Sequence, residues 1–280
     1  MIALSTAAQP QGTGSIPLTA DQPQAAALPL AGLRGLIVGV ANEHSIAWGC
    51  ARQMQAQGAR LVLSCLNEKA RPHVAPLAEA IDAPLLSCDV SQPGQMEAMV
   101  RHALEHLGGL DFVVHAIAWA PADDLHGRVI DSSPEGFNQA MRISCHSFSE
   151  LARLCEPALA RQGGTLLTLS YLGAEGVVPH YGLMGPVKAA LEALVRYMAV
   201  ELGPQGVRVH ALSPGPVPTR AASGLVAFDQ LMAHASSSAP LRRLVTLDEI
   251  GACAAFLVGP GATGMTGQTI FVDAGVHALR

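Results

Sequence analysis

A doubly wound α/β domain, one parallel sheet of seven strands with helices on both faces, is the fold this sequence predicts. Three observations predict it. Short apolar, β-rich runs recur along the chain; stretches with apolar residues at helical spacing separate them; and the first run ends in a glycine-bearing turn into a helix.

Residues 1–31 stand apart from this pattern. Rich in Ala, Gln, Pro, Thr and Gly and without periodicity, they bury too little apolar surface to offset their chain entropy. A disordered extension is expected there, either a partner-binding or targeting arm or a dispensable one. Residues 32–280 form the expected Rossmann-type domain, opening with the strand Leu36–Ala41, the turn from Asn42 and a helix running to about Gln57. Gly39 and Gly49 allow close backbone approach, and Ser45, followed by Ile46, places a hydroxyl where helix N–H groups would face a phosphate. The turn is not G-x-G-x-x-G, and similar turns occur without ligands, so its meaning depends on the strands and loops downstream.

The second strand, Arg60–Cys65, ends in Leu66-Asn67. No carboxylate waits there for an adenosine ribose diol, and no arginine or lysine for a 2′-phosphate, which leans toward NADH over NADPH without encoding the choice strongly. A helix near 70–80, a strand at Pro84–Val90 and a helix over about 93–107 come next. Asp89 at that strand's end either accepts from an adenine amino group or caps the next turn. The fourth strand, Asp111–Ile117, leads into Ala118-Trp119-Ala120-Pro121, where Ala116, Ile117 and Ala118 are small or apolar enough for a nicotinamide ribose to lie against backbone. Trp119 either lines an acyl pocket with Ala120 or belongs to the core. A long helix from about Pro134 to Leu159 carries apolar positions at helical spacing and suits a dimer face.

Thr165–Ser170 reads as a fifth strand, buried on both faces, and Val207–Leu212 as a sixth, followed by the loop Ser213–Thr219 with Pro216 and Val217. Residues 213–245 are mostly small and polar, with Leu225, Phe228, Leu231 and Met232 at helix-like intervals, and read as a substrate-binding lid or as satellite core. A helix near 247–258 and the strand Thr269–Asp273 close the sheet.

Composition excludes several classes. The net charge of -5 leaves no basic footprint for nucleic acid, and no charge-free apolar run reaches the roughly 18 residues of a membrane span. The start of the chain lacks the basic and apolar regions of a secretory signal, and the six cysteines show no ligand-like spacing, as expected of a cytoplasmic protein with reduced thiols. His102 and His106 are four apart, a metal-pair spacing, but no third ligand is near, so they read as a solvated helix surface and no metal is expected.

The chemistry concentrates between Ser170 and Leu194. Tyr181 and Lys188 are seven apart, which on one continuous helix sets both on one face about 10 Å apart along the axis. Pro186 between them fits the first turn of a helix, which would put Tyr181 just ahead of the regular part. A lysine there can hold a ribose while the tyrosine meets a substrate oxygen. Tyr171 would emerge at the carboxyl end of the fifth strand, where open α/β sheets place their ligands.

From about Leu33 to Ala274 the chain resembles the enoyl-acyl-carrier-protein reductases of the bacterial FabI type, within the short-chain dehydrogenase/reductase superfamily. The likeness rests on Gly39-x5-Ser45-Ile-Ala-x-Gly49, Cys88-Asp89-Val90, His115-x-Ile117, Leu169-Ser-Tyr171-Leu-Gly-Ala-Glu175, Tyr181-x6-Lys188, Gly206-Val-Arg-Val209 and Pro240-Leu-Arg-Arg243. The resemblance implies reduction of the 2,3 double bond of a trans-2-enoyl thioester of acyl-carrier protein or CoA by NAD(P)H. Tyr181 would hydrogen-bond the thioester carbonyl, Lys188 bind the nicotinamide ribose, and Tyr171 line the site with Met184. Gly39, Ser45, Ile46, Asp89, Val90 and the turn from Pro216 to Thr219 would embrace the dinucleotide. It also implies a homotetramer.

A short-chain carbonyl reductase would carry Tyr-x3-Lys, but Met184 stands four before Lys188; a non-catalytic dinucleotide-binding regulator would have little use for Tyr181 and Lys188. The chain departs from the FabI pattern at Ala118, where that family usually has glycine, and at Trp119, where it usually has phenylalanine. A reshaped ribose contact and substrate entrance are expected.

Overall fold

The computed structural model describes residues 28–219 and 228–279. Its strands are β1 Arg34–Val38, β2 Arg60–Cys65, β3 Leu85–Ser87, β4 Phe112–His115, β5 Thr165–Leu169, β6 Arg208–Pro214 and β7 Gln268–Val272. All pair in parallel, in the order β3-β2-β1-β4-β5-β6-β7. The expected seven-stranded doubly wound sheet is therefore present. Because successive strands build outward from β1 on one side and then from β4 on the other, the loops leaving β1 and β4 diverge and open a crevice at their carboxyl ends.

The central strands β1, β2, β4, β5 and β6 are mostly buried because both faces of the sheet are covered there. One core joins Leu36 and Val38 to the helices α3 (Gln95–Leu107), α6 (Ser147–Leu159) and α7 (Met184–Leu202). The other joins Ile37 and Leu63 to α1 (Ile46–Ala56), α2 (Arg71–Ala80) and α9 (Leu247–Val258). Glycine lets α1 and α9 touch backbone to backbone: a Cβ on Gly49 would lie 2.8 Å from the carbonyl oxygen of Leu247, and one on Gly251 would overlap the carbonyl oxygen of Gly49.

Several boundaries differ from those read in the sequence. The third strand shrinks to Leu85–Ser87, since Asp89 is taken into a turn with Ser91. The helix expected over 134–159 is α5 (Pro134–Met141) and α6 joined by a wide π-type turn at Arg142–His146. Of the extension expected over 1–31, residues 1–27 lie outside the described residues, whereas 28–31 belong to the fold. Leu30 is fully buried and its N–H donates to Gln57 O at 2.9 Å. A short helix α4, Ala122–His126, follows β4, and α8, Phe228–Ser238, lies within the segment read as a lid, of which 220–227 fall outside the described residues. Among the described residues no helix is long and apolar enough to cross a membrane.

Candidate active site

The residues expected to serve a dinucleotide line the carboxyl edge of the sheet. Gly39 follows β1 with φ +99, and a Cβ there would stand 2.6 Å from Ala116 O and 2.9 Å from the Ile117 Cδ1. The backbones leaving β1 and β4 thus approach as only glycine permits, and the cradle fits a flat ligand lying on backbone. Ser45 caps α1: its Oγ accepts from Trp48 N and donates to Asn42 O at 2.7 Å, and Ile46 begins the helix. The free N–H groups of this first turn are what a pyrophosphate would use.

Leu66 stands beyond β2 with 53% of its surface exposed. Asp89 Oδ1 accepts from Ser91 N at 2.9 Å and Ser91 Oγ at 2.7 Å, so the turn-capping role is realised and any adenine contact falls to Oδ2; Val90 beside it is buried. Ala116 N continues the ladder to Val38 O at 2.9 Å, and Ala118 is exposed. Past β6, Pro216 is half-buried, Val217 is buried, and Thr219 N donates to Val217 O at 2.7 Å.

Tyr181 precedes α7 instead of riding on it. Gly182 (φ +52) turns the chain, its Cα too close to Leu125 O for a side chain, and α7 starts at Met184 with Pro186 in its first turn. The single-face helical geometry therefore gives way to the placement that Pro186 favoured. The Tyr181 ring meets that of Tyr171 with centroids 4.8 Å apart and planes inclined at 58°. Gly173 makes room, since a Cβ on it would overlap the Tyr181 ring. Burial first, then the Tyr171 phenol and the Glu192 carboxyl, push the Tyr181 phenol up, so it stays protonated and able to donate.

Lys188, on the first turns of α7, is 3% exposed, and its Nζ donates to Leu169 O at 2.6 Å. Burial lowers it to about 8, against smaller opposing contributions from Cys145 and Glu192. The amine and both phenols thus gather where β5 ends.

A cavity of about 140 Å³ opens beside Tyr171, lined among others by Pro216, Leu231, His234, Asp273 and Leu279. Of the residues expected to line a substrate pocket, Tyr171 alone borders it; Met184 is buried in the core, Ala120 packs against that core, and Trp119 is 44% exposed at the mouth of the loop after β4.

Sequence reasoning misses two groups. Ser144, buried in the wide turn, donates to Trp119 O and accepts from Trp119 N, both at 2.7 Å, which fixes the loop after β4. No local signal announces it, because it depends on the extra residue in that turn. Glu192, buried four residues beyond Lys188, accepts from Ser170 Oγ; its spacing from the lysine was the available sign. His115 is a structural tie, its Nδ1 3.0 Å from Thr168 Oγ1 and its Nε2 2.8 Å from Ser147 Oγ, and burial pushes it down to about 3. Among the described residues no cluster of His, Cys, Asp or Glu could hold a metal ion.

The family model described as enoyl-(acyl carrier protein) reductase matches residues 39–277. Enoyl-acyl-carrier-protein reductase (NADH) 2 of Rhizobium meliloti is 43% identical over 247 residues, 88% of this chain and 92% of the relative. The crystal structure of an enoyl-acyl-carrier-protein reductase from Anaplasma phagocytophilum in complex with NAD superposes with a TM-score of 0.86 at 45% identity, covering 90% of this chain and 96% of that one. That of Bacillus cereus, with NADP+ and indole naphthyridinone, gives 0.87 at 40% identity, covering 90% and 99%.

Proposed function

The chain belongs to the enoyl-(acyl carrier protein) reductase family, and from that premise we propose that it reduces the 2,3 double bond of a trans-2-enoyl thioester with NADH, as in fatty acid elongation. Acyl-carrier protein is the carrier that the relatives' names support, with CoA as the smaller alternative. The observation that carries the reading is the meeting of two phenols and a buried amine at the end of β5.

When bound, the reduced nicotinamide supplies a hydride for C3 of the substrate. Binding and orientation fall to the chain. Tyr181, held protonated, donates a hydrogen bond to the thioester oxygen, and this bond strengthens as negative charge develops there before C2 takes up a proton from solvent. Conjugate reduction delivers hydride two bonds from the carbonyl carbon, so the phenol must stand elsewhere than in a ketone reductase. The longer interval from Tyr181 to Lys188, with Met184 where such a reductase has its tyrosine, agrees with that.

Lys188 keeps its charge below about pH 8 and orients the ribose, and Tyr171 lines the substrate's path. Gly39, Ser45 and Ile46 take the pyrophosphate end, Leu66, Asp89 and Val90 the adenosine, and Ala116, Ile117, Ala118, Pro216, Val217 and Thr219 the nicotinamide end; the Gly39 cradle supports this assignment. The described part of 213–245 serves as a lid, a role supported by Leu231 and His234 lining the cavity that Tyr171 borders. A cytoplasmic homotetramer completes the proposal, with the exposed apolar Tyr197 and Val200 on α7 available for subunit contact.

Loss of NADH absorbance on adding a crotonyl thioester tests the reading. We expect turnover with the thioester and none with ketones. Ketone turnover alone, or tight NADH binding without any turnover, overturns it.

A further inference from the structure

The last described turn, Val276–Leu279, supplies part of the wall of the cavity that Tyr171 borders, and no step of the proposed reaction uses it. A sharp reversal after β7 puts it there. Ala274 at φ +57 and Gly275 at φ +91 both take left-handed backbone, which an alanine adopts only at a cost, so the reversal must be held by what surrounds it.

Two sets of contacts hold it. The Asp273 carboxylate, almost fully buried, accepts from Gly275 N at 2.9 Å and from His277 N at 2.8 Å, and its Oδ1 also meets His277 Nδ1 at 2.9 Å. The His277 ring then stacks on that of Phe271 in β7, centroids 4.3 Å apart and planes inclined at 11°. From the other side Leu241 N donates to Ala274 O at 3.2 Å, and Pro240 presses so close that a Cβ on Gly275 would stand 2.8 Å from its Cγ. The turn is therefore fastened both to β7 and to the chain just past α8, whose Leu231 and Ala235 share the cavity wall.

The lining says what such a cavity can take. Its one carboxylate, Asp273, has both oxygens engaged, and the Ser238 hydroxyl is turned to His234 O at 2.7 Å. The rest of the wall is mainly Leu, Val, Ala, Pro and Gly. A polar guest would lose its water for few partners, whereas an apolar one gains by burial. An enoyl thioester brings one long apolar part to this edge of the sheet, its acyl tail. At about 140 Å³ the cavity is near the size that holds a guest of about six carbons.

Resting on the reductase reading, we propose that this cavity takes the acyl tail and that the turn Val276–Leu279, set in place by Asp273, decides how much of the tail is accepted. Val276 and Leu279 are specificity-determining residues; Asp273 is a positioning residue.

The test is kcat/KM for trans-2-butenoyl and trans-2-octenoyl thioesters on one carrier. Native protein favours the eight-carbon substrate by at least about tenfold, because its tail reaches into the cavity. Val276→Phe fills that space and removes the preference. Leu279→Trp adds bulk at a position that is 60% exposed, where the fold tolerates it, and removes the preference as well. Asp273→Ala frees the turn, and the eight-to-four ratio falls by about tenfold, whereas mere loosening of the fold lowers both rates equally.

Folded Val276→Phe or Leu279→Trp protein with the native ratio overturns the proposal, and equal losses at both lengths in Asp273→Ala overturn the positioning role. Calorimetry separates the proposal from the reading beneath it. NADH-loaded native protein that reduces neither thioester but binds octanoyl thioester at least about tenfold tighter than butanoyl sinks the reductase reading alone. Native protein that shows no preference between the two lengths, in turnover or, where there is none, in binding, overturns the assignment of the cavity.

Discussion

The ring of Tyr181 leans on that of Tyr171, centroids 4.8 Å apart at an inclination of 58°, although one belongs to the turn before α7 and the other to the exit of β5. Two phenols converge where the proposed oxyanion forms. Replacing Tyr181 with phenylalanine keeps the ring contact and removes the donor. The expected outcome is a fall in crotonyl thioester turnover of about 10²- to 10³-fold, with NADH affinity unchanged by fluorescence titration.

The central strands were legible because they are apolar runs buried on both faces, and the alternation of strands with helices predicted the fold class. Tyr181 before a helix was legible from Pro186 alone. Other features depend on packing that no local pattern records. Ser144 reaches Trp119 only through the wide turn at Arg142–His146, and the cavity beside Tyr171 joins the exit of β5, α8 and the last turn, Val276–Leu279, from distant parts of the chain. Glu192 carries no sequence signal beyond its place four residues past Lys188. Its burial comes with its bond from Ser170, just past the end of β5.

Lys188 gives the activity an alkaline limb. Burial holds its amine at about 8, below its ordinary value of 10.5, so the group is charged below that pH and neutral above it. NADH affinity and kcat/KM should be flat from about pH 6 to 7 and fall as pH rises through 8, by up to tenfold per unit. For stability the sign is opposite: the buried charge costs the native state below about pH 8, and that cost is relieved as pH climbs toward 10.5. A pH series of NADH titrations and thermal melts reads both.

Gly39→Ala should damage the site more than the fold. The residue sits at φ +99, and its new methyl would meet Ala116 O at 2.6 Å, inside the crevice proposed for the cofactor. Gly94, at φ +79 with no heavy atom within 4 Å of where a methyl would stand, provides the control, since Gly94→Ala meets only backbone strain of about 1–2 kcal/mol. NADH affinity should drop at least about tenfold in the first variant and hold in the second, with both losing some thermal stability.

Leu66 is where the adenosine end can be retuned. Its neighbour Asn67 is committed, since its Oδ1 accepts from Lys69 N and Ala70 N, both at 3.1 Å, and so caps the approach to α2. Leu66 carries no such duty and projects past the end of β2, 53% exposed. An arginine in its place would present a fork to a 2′-phosphate, an anion to which a leucine offers nothing. The ratio of kcat/KM for NADPH to that for NADH should therefore rise by about tenfold or more in Leu66→Arg, the equivalent of one added charge-assisted pair. Leu66→Ala, which changes size without charge, should leave the ratio where it was. If the arginine variant also leaves it unchanged, the adenosine ribose does not lie against the end of β2, and the assignment of Leu66 to the cofactor fails with it.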